Sequence, residues 1–233
     1  MYAEFIMTRA RKQLGLALKE RRSWGGCRAG AGRPKTSRRV AHEARPHLHG
    51  RHPVHVTLRV VESVGNLREH RRLRALCDAL SAGSNRFGFR VVHYSLQSTH
   101  VHLICEAVDK EALARGLKGL KVRMARAINR RLDRKGTVFA DRYHARALTT
   151  PRETRAGLSY ALLNNRHHAK CPTRTLGAAL PDPCSSAAVF DGWLEATALS
   201  KHARIARLAR PSTWLLRVGW RKCGLISRLE IPG

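Results

Sequence analysis

The chain has 233 residues, with 45 Lys plus Arg against 16 Asp plus Glu, a formal net charge of +29 at pH 7. Such an excess repels itself unless a polyanion screens it, so nucleic acid is the expected partner. No apolar run reaches transmembrane length, and the 6 cysteines contain no CxxC pair. That argues against a membrane span, a zinc ribbon or a disulfide framework, and fits a reducing cytoplasm close to the nucleoid.

Residues 1–22 have the pattern of a basic helix without a signal-peptide core. Residues 24–35 are rich in Gly and Arg and cannot bury a core, so residues 1–52 are expected to form a largely flexible basic arm. Within it, Gly32-Arg33-Pro34-Lys35 resembles the core of an AT-hook, with non-specific phosphate contact by Arg33 the simpler role. A His-Leu-His at 47–49 lies outside any alternating run and reads as solvated.

A globular pattern begins at Pro53. Residues 54–60 alternate as a strand. Leu67, Leu73, Leu76 and Leu80 mark an amphipathic helix to about residue 81. Residues 90–96 and 100–106 alternate about a polar turn, as a β-hairpin does. Asp109 opens a helix with Leu113, Leu117, Leu120, Met124 and Ile128 on one stripe. Its other face carries cations, among them Lys118, Lys121, Arg126 and Arg130, continuing to Arg134, and Gly136 is expected to end it. The cations read either as a solvated face or, given that continuation, as a surface tracking phosphates. Arg142 and Tyr143 precede a fourth short strand; Arg142 is expected to meet DNA, and Tyr143 to be a structural or DNA-stacking residue. Thr150-Pro151-Arg152-Glu153 is a capping box with Pro at the first helical position, starting a helix to about residue 166. The order strand, helix, strand, strand, helix, strand is the ferredoxin-like βαββαβ arrangement. The fold class is therefore α+β, a four-stranded antiparallel sheet with one added C-terminal helix. Residues 171–233 form a basic extension in which 185–193 could dock on the domain and 214–220 could be helical.

In the second hairpin strand, His100, His102 and Ile104 share one sheet face, and Val101, Leu103 and Cys105 the other. Two imidazoles one strand period apart can clamp a metal. Taken alone, the triplet reads rather as two hydrogen-bonded histidines on a half-buried strand. The capped helix adds chemistry: Tyr160 and Asn164 stand at i and i+4, nearly opposite Leu158 and Leu162. Asn164 can offer an amide oxygen to a metal held by His100 and His102, and the Tyr160 hydroxyl would then lie near it. Two neutral imidazoles and an amide oxygen leave positions for phosphate and water, which suits Mg²⁺ or Mn²⁺. A phenol titrates near about 10 in water, so a nucleophilic tyrosine needs such a cation.

Residues 54–168 resemble the IS200/IS605-type tyrosine transposase superfamily, and within it the REP-associated tyrosine transposases. The resemblance is carried by His100-Val101-His102, by the segment Gly136 to His144 (GTVFADRYH) and by Ser159-Tyr160-Ala161-Leu162-Leu163-Asn164. It implies that residues 53–170 are the catalytic domain, that His100, His102 and Asn164 bind a divalent metal, and that Tyr160 forms a 5′-phosphotyrosine link to single-stranded, hairpin-bearing DNA. It also implies a monomer or a homodimer that exchanges the tyrosine helix. Relatives often carry Pro-Asn before the first metal histidine, where this chain has Ser98-Thr99, and Asn-Pro after the tyrosine, where it has Asn164-Asn165. Neither change removes a catalytic atom. A non-catalytic DNA-binding descendant of such an enzyme is the alternative, although such a descendant need not keep all four site residues. Few aromatics in the hairpin strands argue against an RNA-binding sheet.

Overall fold

The computed structural model of the chain describes residues 46–167, 180–195 and 205–232. The expected basic helix, the Gly/Arg-rich segment and Arg33 lie outside the described residues.

Five strands form one antiparallel sheet: β1 (Val54–Arg59), β2 (Asn85–Arg86), β3 (Phe89–Leu96), β4 (His100–Ala107) and β5 (His144–Ala147), in the order β2-β3-β4-β1-β5. The helices are α1 (His70–Gly83), α2 (Lys110–Arg131), α3 (Pro151–His167) and the single turn α4 (Trp214–Arg217). The expected ferredoxin-like order holds for the four longer strands, but the sheet has five strands instead of four. The extra one arises because Phe87 and Gly88 both take positive φ, 50° and 75°. Two such residues make a tight hairpin turn that pairs Asn85–Arg86 with Phe89 and Arg90. Two boundaries also differ. The first helix starts at His70, after a 3-10 turn at Glu62–Val64. The second stops at Arg131, ahead of Gly136, with Leu132 as its cap and Asp133 at φ 46°.

One sheet face carries the main core. Val54, Val56 and Leu58 of β1 and Val101, Leu103 and Cys105 of β4 are all buried there with the apolar stripes of α1 and α2. The α2 stripe is the one expected, with Leu113, Leu117, Leu120, Met124 and Ile128 buried, and Asp109 caps the helix by accepting from the Ala112 amide at 2.6 Å.

The other face has its own core. Val92 and Ile104 of the sheet, Leu158, Ala161 and Leu162 of α3, and Phe190, Trp193, Leu216 and Trp220 of the C-terminal extension pack together. A register shift between Val91 and His93 turns Val92 into this second core. The extension is fastened by buried polar anchors. Glu106, 3% exposed, accepts from the backbone amides and hydroxyls of both Ser212 and Thr213, at 2.7–3.0 Å. Asp182, likewise 3% exposed, holds Arg68 in a two-point ion pair at 2.7 and 2.8 Å. On α3 itself, Arg155 donates to the Leu225 carbonyl at 2.8 Å and pairs with Glu230 at 2.5 Å, while Ser159 donates to Glu230 at 3.2 Å. Among the described residues no helix is long and apolar enough to cross a membrane.

The capping box forms as the sequence predicts. The Glu153 amide donates to Thr150 Oγ1 at 3.1 Å, and the Glu153 carboxylate accepts from the Thr150 amide at 3.3 Å. The same carboxylate accepts from the hydroxyl and amide of Thr149 at 2.7 and 2.8 Å. These Thr149 bonds, with Arg146 and the Thr150 amide adding to them, hold Glu153 down to about 2 from an ordinary value of 4.5. The folded-state value is the lower one. The box therefore supports α3 fully above pH about 4.5 and loses that support as pH falls toward about 2. Glu153→Gln is expected to lower the melting temperature at pH 7, with the gap from the parent protein closing by pH about 2. Melting curves followed by circular dichroism across that range check it. Glu106→Leu removes the acceptor for two amides and two hydroxyls. It is expected to cost roughly 2–3 kcal/mol in urea unfolding and to open residues 205–217 to limited proteolysis.

Candidate active site

The alternation of β4 sets the site. His100 and His102 stand on the α3 side of the sheet with their ring centroids 4.7 Å apart. Sheet register supplies their neighbours: His102 lies between Ser95 of β3 and Thr57 of β1, and Thr57 faces His144 of β5. Polar side chains thus run across four strands in one row. His102 is only 3% exposed, and its Nδ1 lies 3.1 Å from Nε2 of His55 and 3.2 Å from Oγ1 of Thr57. His100, nearer the turn, has its Nδ1 3.2 Å from Oγ1 of Thr99.

Helix α3 closes over this row and brings Tyr160 to it. The Tyr160 ring centroid is 5.3 Å from that of His102 and 5.6 Å from that of His55, edge-on to both. One turn on, Asn164 is fully buried, and neither atom of its amide hydrogen-bonds to any described residue. An amide left so in an apolar interior costs about 1–3 kcal/mol. Leu158 and Leu162, on the other side of the helix, are buried by the extension, so α3 is covered on both faces.

Burial pushes His55 down to about 4, with the positive potential of His144 and Arg146 adding to the effect, so its imidazole is neutral at pH 7. Two clefts flank the row. One of about 470 Å³ is lined by His55, His102, His144, Arg146, Arg152 and Tyr160. The other, of about 530 Å³, is lined by Arg68, the turn 97–99, His100 and Asn165. Arg146 and Arg152 at the first can meet phosphates of a strand crossing the tyrosine, whereas Arg68 at the second is held by Asp182.

The donors present fit a divalent cation. Among the described residues no three His, Cys, Asp or Glu side chains gather as a ligand set. The Asn164 amide, buried with no hydrogen-bond partner among the described residues, could serve as a third donor beside His100 and His102. Imidazole and amide donors with open positions suit Mg²⁺ or Mn²⁺.

A third cleft, of about 630 Å³, lies along α2 and gathers Lys118, Lys121, Arg142 and Tyr143 with Val122 on its floor. Lys121 reaches over the Phe139 ring at 5.2 Å and donates to the Asp141 carbonyl at 3.0 Å. Arg126 and Arg130 are exposed further along α2 and do not line it. The Arg134 fork is taken up by Ser63, Asn129 and the Thr137 carbonyl. The sequence reasoning missed His55, Thr57, His144 and Arg146. Their signal was the two-residue period of β1 and β5, which could be joined to β4 only once the strand pairing was known.

Residues 51–155 match the sequence model of the family described as "Transposase IS200 like". Over that segment, 105 of the 233 residues, the chain is similar to the IS200-like transposases. The match ends short of Tyr160, which α3 packs against His102, and of Asn164 one turn further on. A solved structure, described as a REP-associated tyrosine transposase bound to a REP hairpin, is similar over 63% of this chain and 82% of that one, with 12% identity and a TM-score of 0.47. No curated protein matches the chain.

Asn164 makes a measurable trade. Asn164→Leu replaces a buried amide that lacks a hydrogen-bond partner among the described residues by an apolar side chain of the same branched shape. The metal-free variant is expected to melt at a higher temperature than the parent, by the equivalent of about 1–2 kcal/mol. Mn²⁺ affinity, measured by calorimetry, is expected to fall in the same variant.

Proposed function

We propose that the chain is a single-stranded-DNA transposase or endonuclease that cuts and rejoins DNA through Tyr160, most like the REP-associated branch of its superfamily. The observation that carries this is the Tyr160 ring packed edge-on against His102, with the buried amide of Asn164 one helical turn away. A divalent cation held by His100, His102 and Asn164 would polarise the phosphodiester and offset the charge that builds on it. The Tyr160 oxygen attacks phosphorus, the bond from phosphorus to the 3′ oxygen breaks, and a 5′-phosphotyrosine forms. The phenolic proton is lost to solvent and the departing 3′ oxygen takes one up, so one phosphodiester is exchanged for another. Rejoining is the reverse, with a 3′ hydroxyl attacking the phosphotyrosine. Helix α3 orients the hydroxyl, and its cover from both sides keeps the tyrosine in place.

The cleft of Arg146 and Arg152 beside the row and the α2 cleft with Tyr143 supply phosphate contacts and a stacking ring for single-stranded DNA with a hairpin. In this reading residues 1–52 are a DNA-binding arm, 53–170 the catalytic domain and 171–233 an extension that braces it. The chain works in the cytoplasm at the nucleoid. It acts as a monomer or as a homodimer.

The test is denaturing electrophoresis of the protein with labelled single-stranded hairpins and Mn²⁺. A covalent adduct is expected from the parent protein and from Tyr143→Phe. None is expected from Tyr160→Phe, whose DNA and Mn²⁺ binding should persist. His100→Ala and His102→Ala should lose the adduct together with the metal. An adduct that survives in Tyr160→Phe would overturn the assignment, and DNA binding without any adduct would point to a non-catalytic descendant.

A further inference from the structure

We infer that His55 and Thr57 are positioning residues that set the tautomer of His102, so that Nδ1 carries the proton and Nε2 is the nitrogen presented to the cation. The inference rests on the metal-dependent reading above. A neutral imidazole has one N–H and one ring lone pair, and its hydrogen-bond partner decides which nitrogen holds which. Only the lone-pair nitrogen can ligate. For His102 the partners stand at Nδ1, where His55 Nε2 at 3.1 Å and Thr57 Oγ1 at 3.2 Å converge on the same atom.

The backbone makes this arrangement hard to avoid. Thr57 and His102 are directly opposed across β1 and β4, and His55 precedes Thr57 by one strand period on the same face. The ring is 3% exposed, so water competes poorly for Nδ1. With the proton on Nδ1, both neighbours act as acceptors of one shared N–H, and Nε2 keeps its lone pair. The opposite assignment would put the proton on Nε2 and close that nitrogen to a metal. A metal ligand that donates its second ring N–H to a fixed acceptor is a more basic and better oriented ligand, worth about 10- to 100-fold in affinity. His55 touches neither substrate nor the reacting atoms in this scheme and acts through His102.

Two measurements on the full chain test it. In metal-free protein, long-range ¹H–¹⁵N correlation spectra report each histidine tautomer, and the His102 signals are those lost in His102→Gln. The parent is expected to show a protonated Nδ1, and the double variant His55→Leu/Thr57→Val a proton moved wholly or partly to Nε2. Mn²⁺ affinity by electron paramagnetic resonance is expected to fall about 10- to 100-fold in that double variant. His55→Gln, whose amide oxygen can occupy the position of Nε2, is expected to keep both the tautomer and the affinity. Backbone amide spectra report whether each variant is folded. A protonated Nε2 in the parent overturns the inference. So does undiminished Mn²⁺ affinity in the double variant, or a loss in His55→Gln equal to that in the double variant. If instead His102→Ala binds Mn²⁺ as tightly as the parent, the metal reading itself fails, and the tautomer spectra still decide the roles of His55 and Thr57.

Discussion

Strand β4 must serve two interiors at once. Apart from His100, its side chains are buried on both sheet faces, with Val101, Leu103 and Cys105 on one and His102, Ile104 and Glu106 on the other. Burying a polar side chain is tolerable only beside polar neighbours. The structure meets this by aligning Ser95, His102, Thr57 and His144 across four strands, so polar groups face one another where the sheet would otherwise be apolar. Helices α1 and α2 press on the aliphatic face and fix the strand. Helix α3 covers the other with a surface that is itself mixed, Tyr160 against His102 and His55, and leucines packed with the extension. Each layer follows from that one alternation.

Much of this frame is legible in the sequence because its signals are local. The hairpin about residues 97–99, the α2 stripe and the Thr150–Glu153 box depend on residues at most a few turns apart. What escaped notice depends on pairing. Nothing local says that His55 will lie against His102, 47 positions away, because the register of β1 on β4 is a tertiary fact. The Phe87-Gly88 turn carries no Asn-Gly or Asp-Gly signature, so the short β2 was not visible. Nor was the shift at Val92, since one extra residue in an apolar run leaves its composition unchanged. Glu106 is a middle case. An acid in an apolar strand announces that it needs donors, but those donors come 106 and 107 positions later. The candidate site divides the same way. The two histidines and the capped tyrosine helix were readable, whereas the β1 and β5 side chains around them were not.

The cations separate into two populations. Some, such as Arg68, Arg134 and Arg155, are held by specific acceptors and serve the fold. Others, such as Lys118, Arg126, Arg130 and Arg142, stay exposed along α2 and the segment before β5. Only the second group can exchange counterions for phosphates without loss of internal contacts. A formal charge of +29 therefore overstates the charge available to a nucleic acid.

The brace on α3 also has a consequence in time. Ser159 and its acceptor Glu230 are 71 residues apart, so the ribosome makes the tyrosine helix long before the carboxylate that fastens it. During that interval the nascent chain carries Tyr160 on a helix whose outer leucines still lack Trp220 and its neighbours. Contacts of such sequence separation form late and slowly. A chain stopped by a premature codon in this interval would hold every proposed catalytic atom yet lack the brace. A DNA-cutting tyrosine would thus be fixed in place only in chains whose translation had run through the extension.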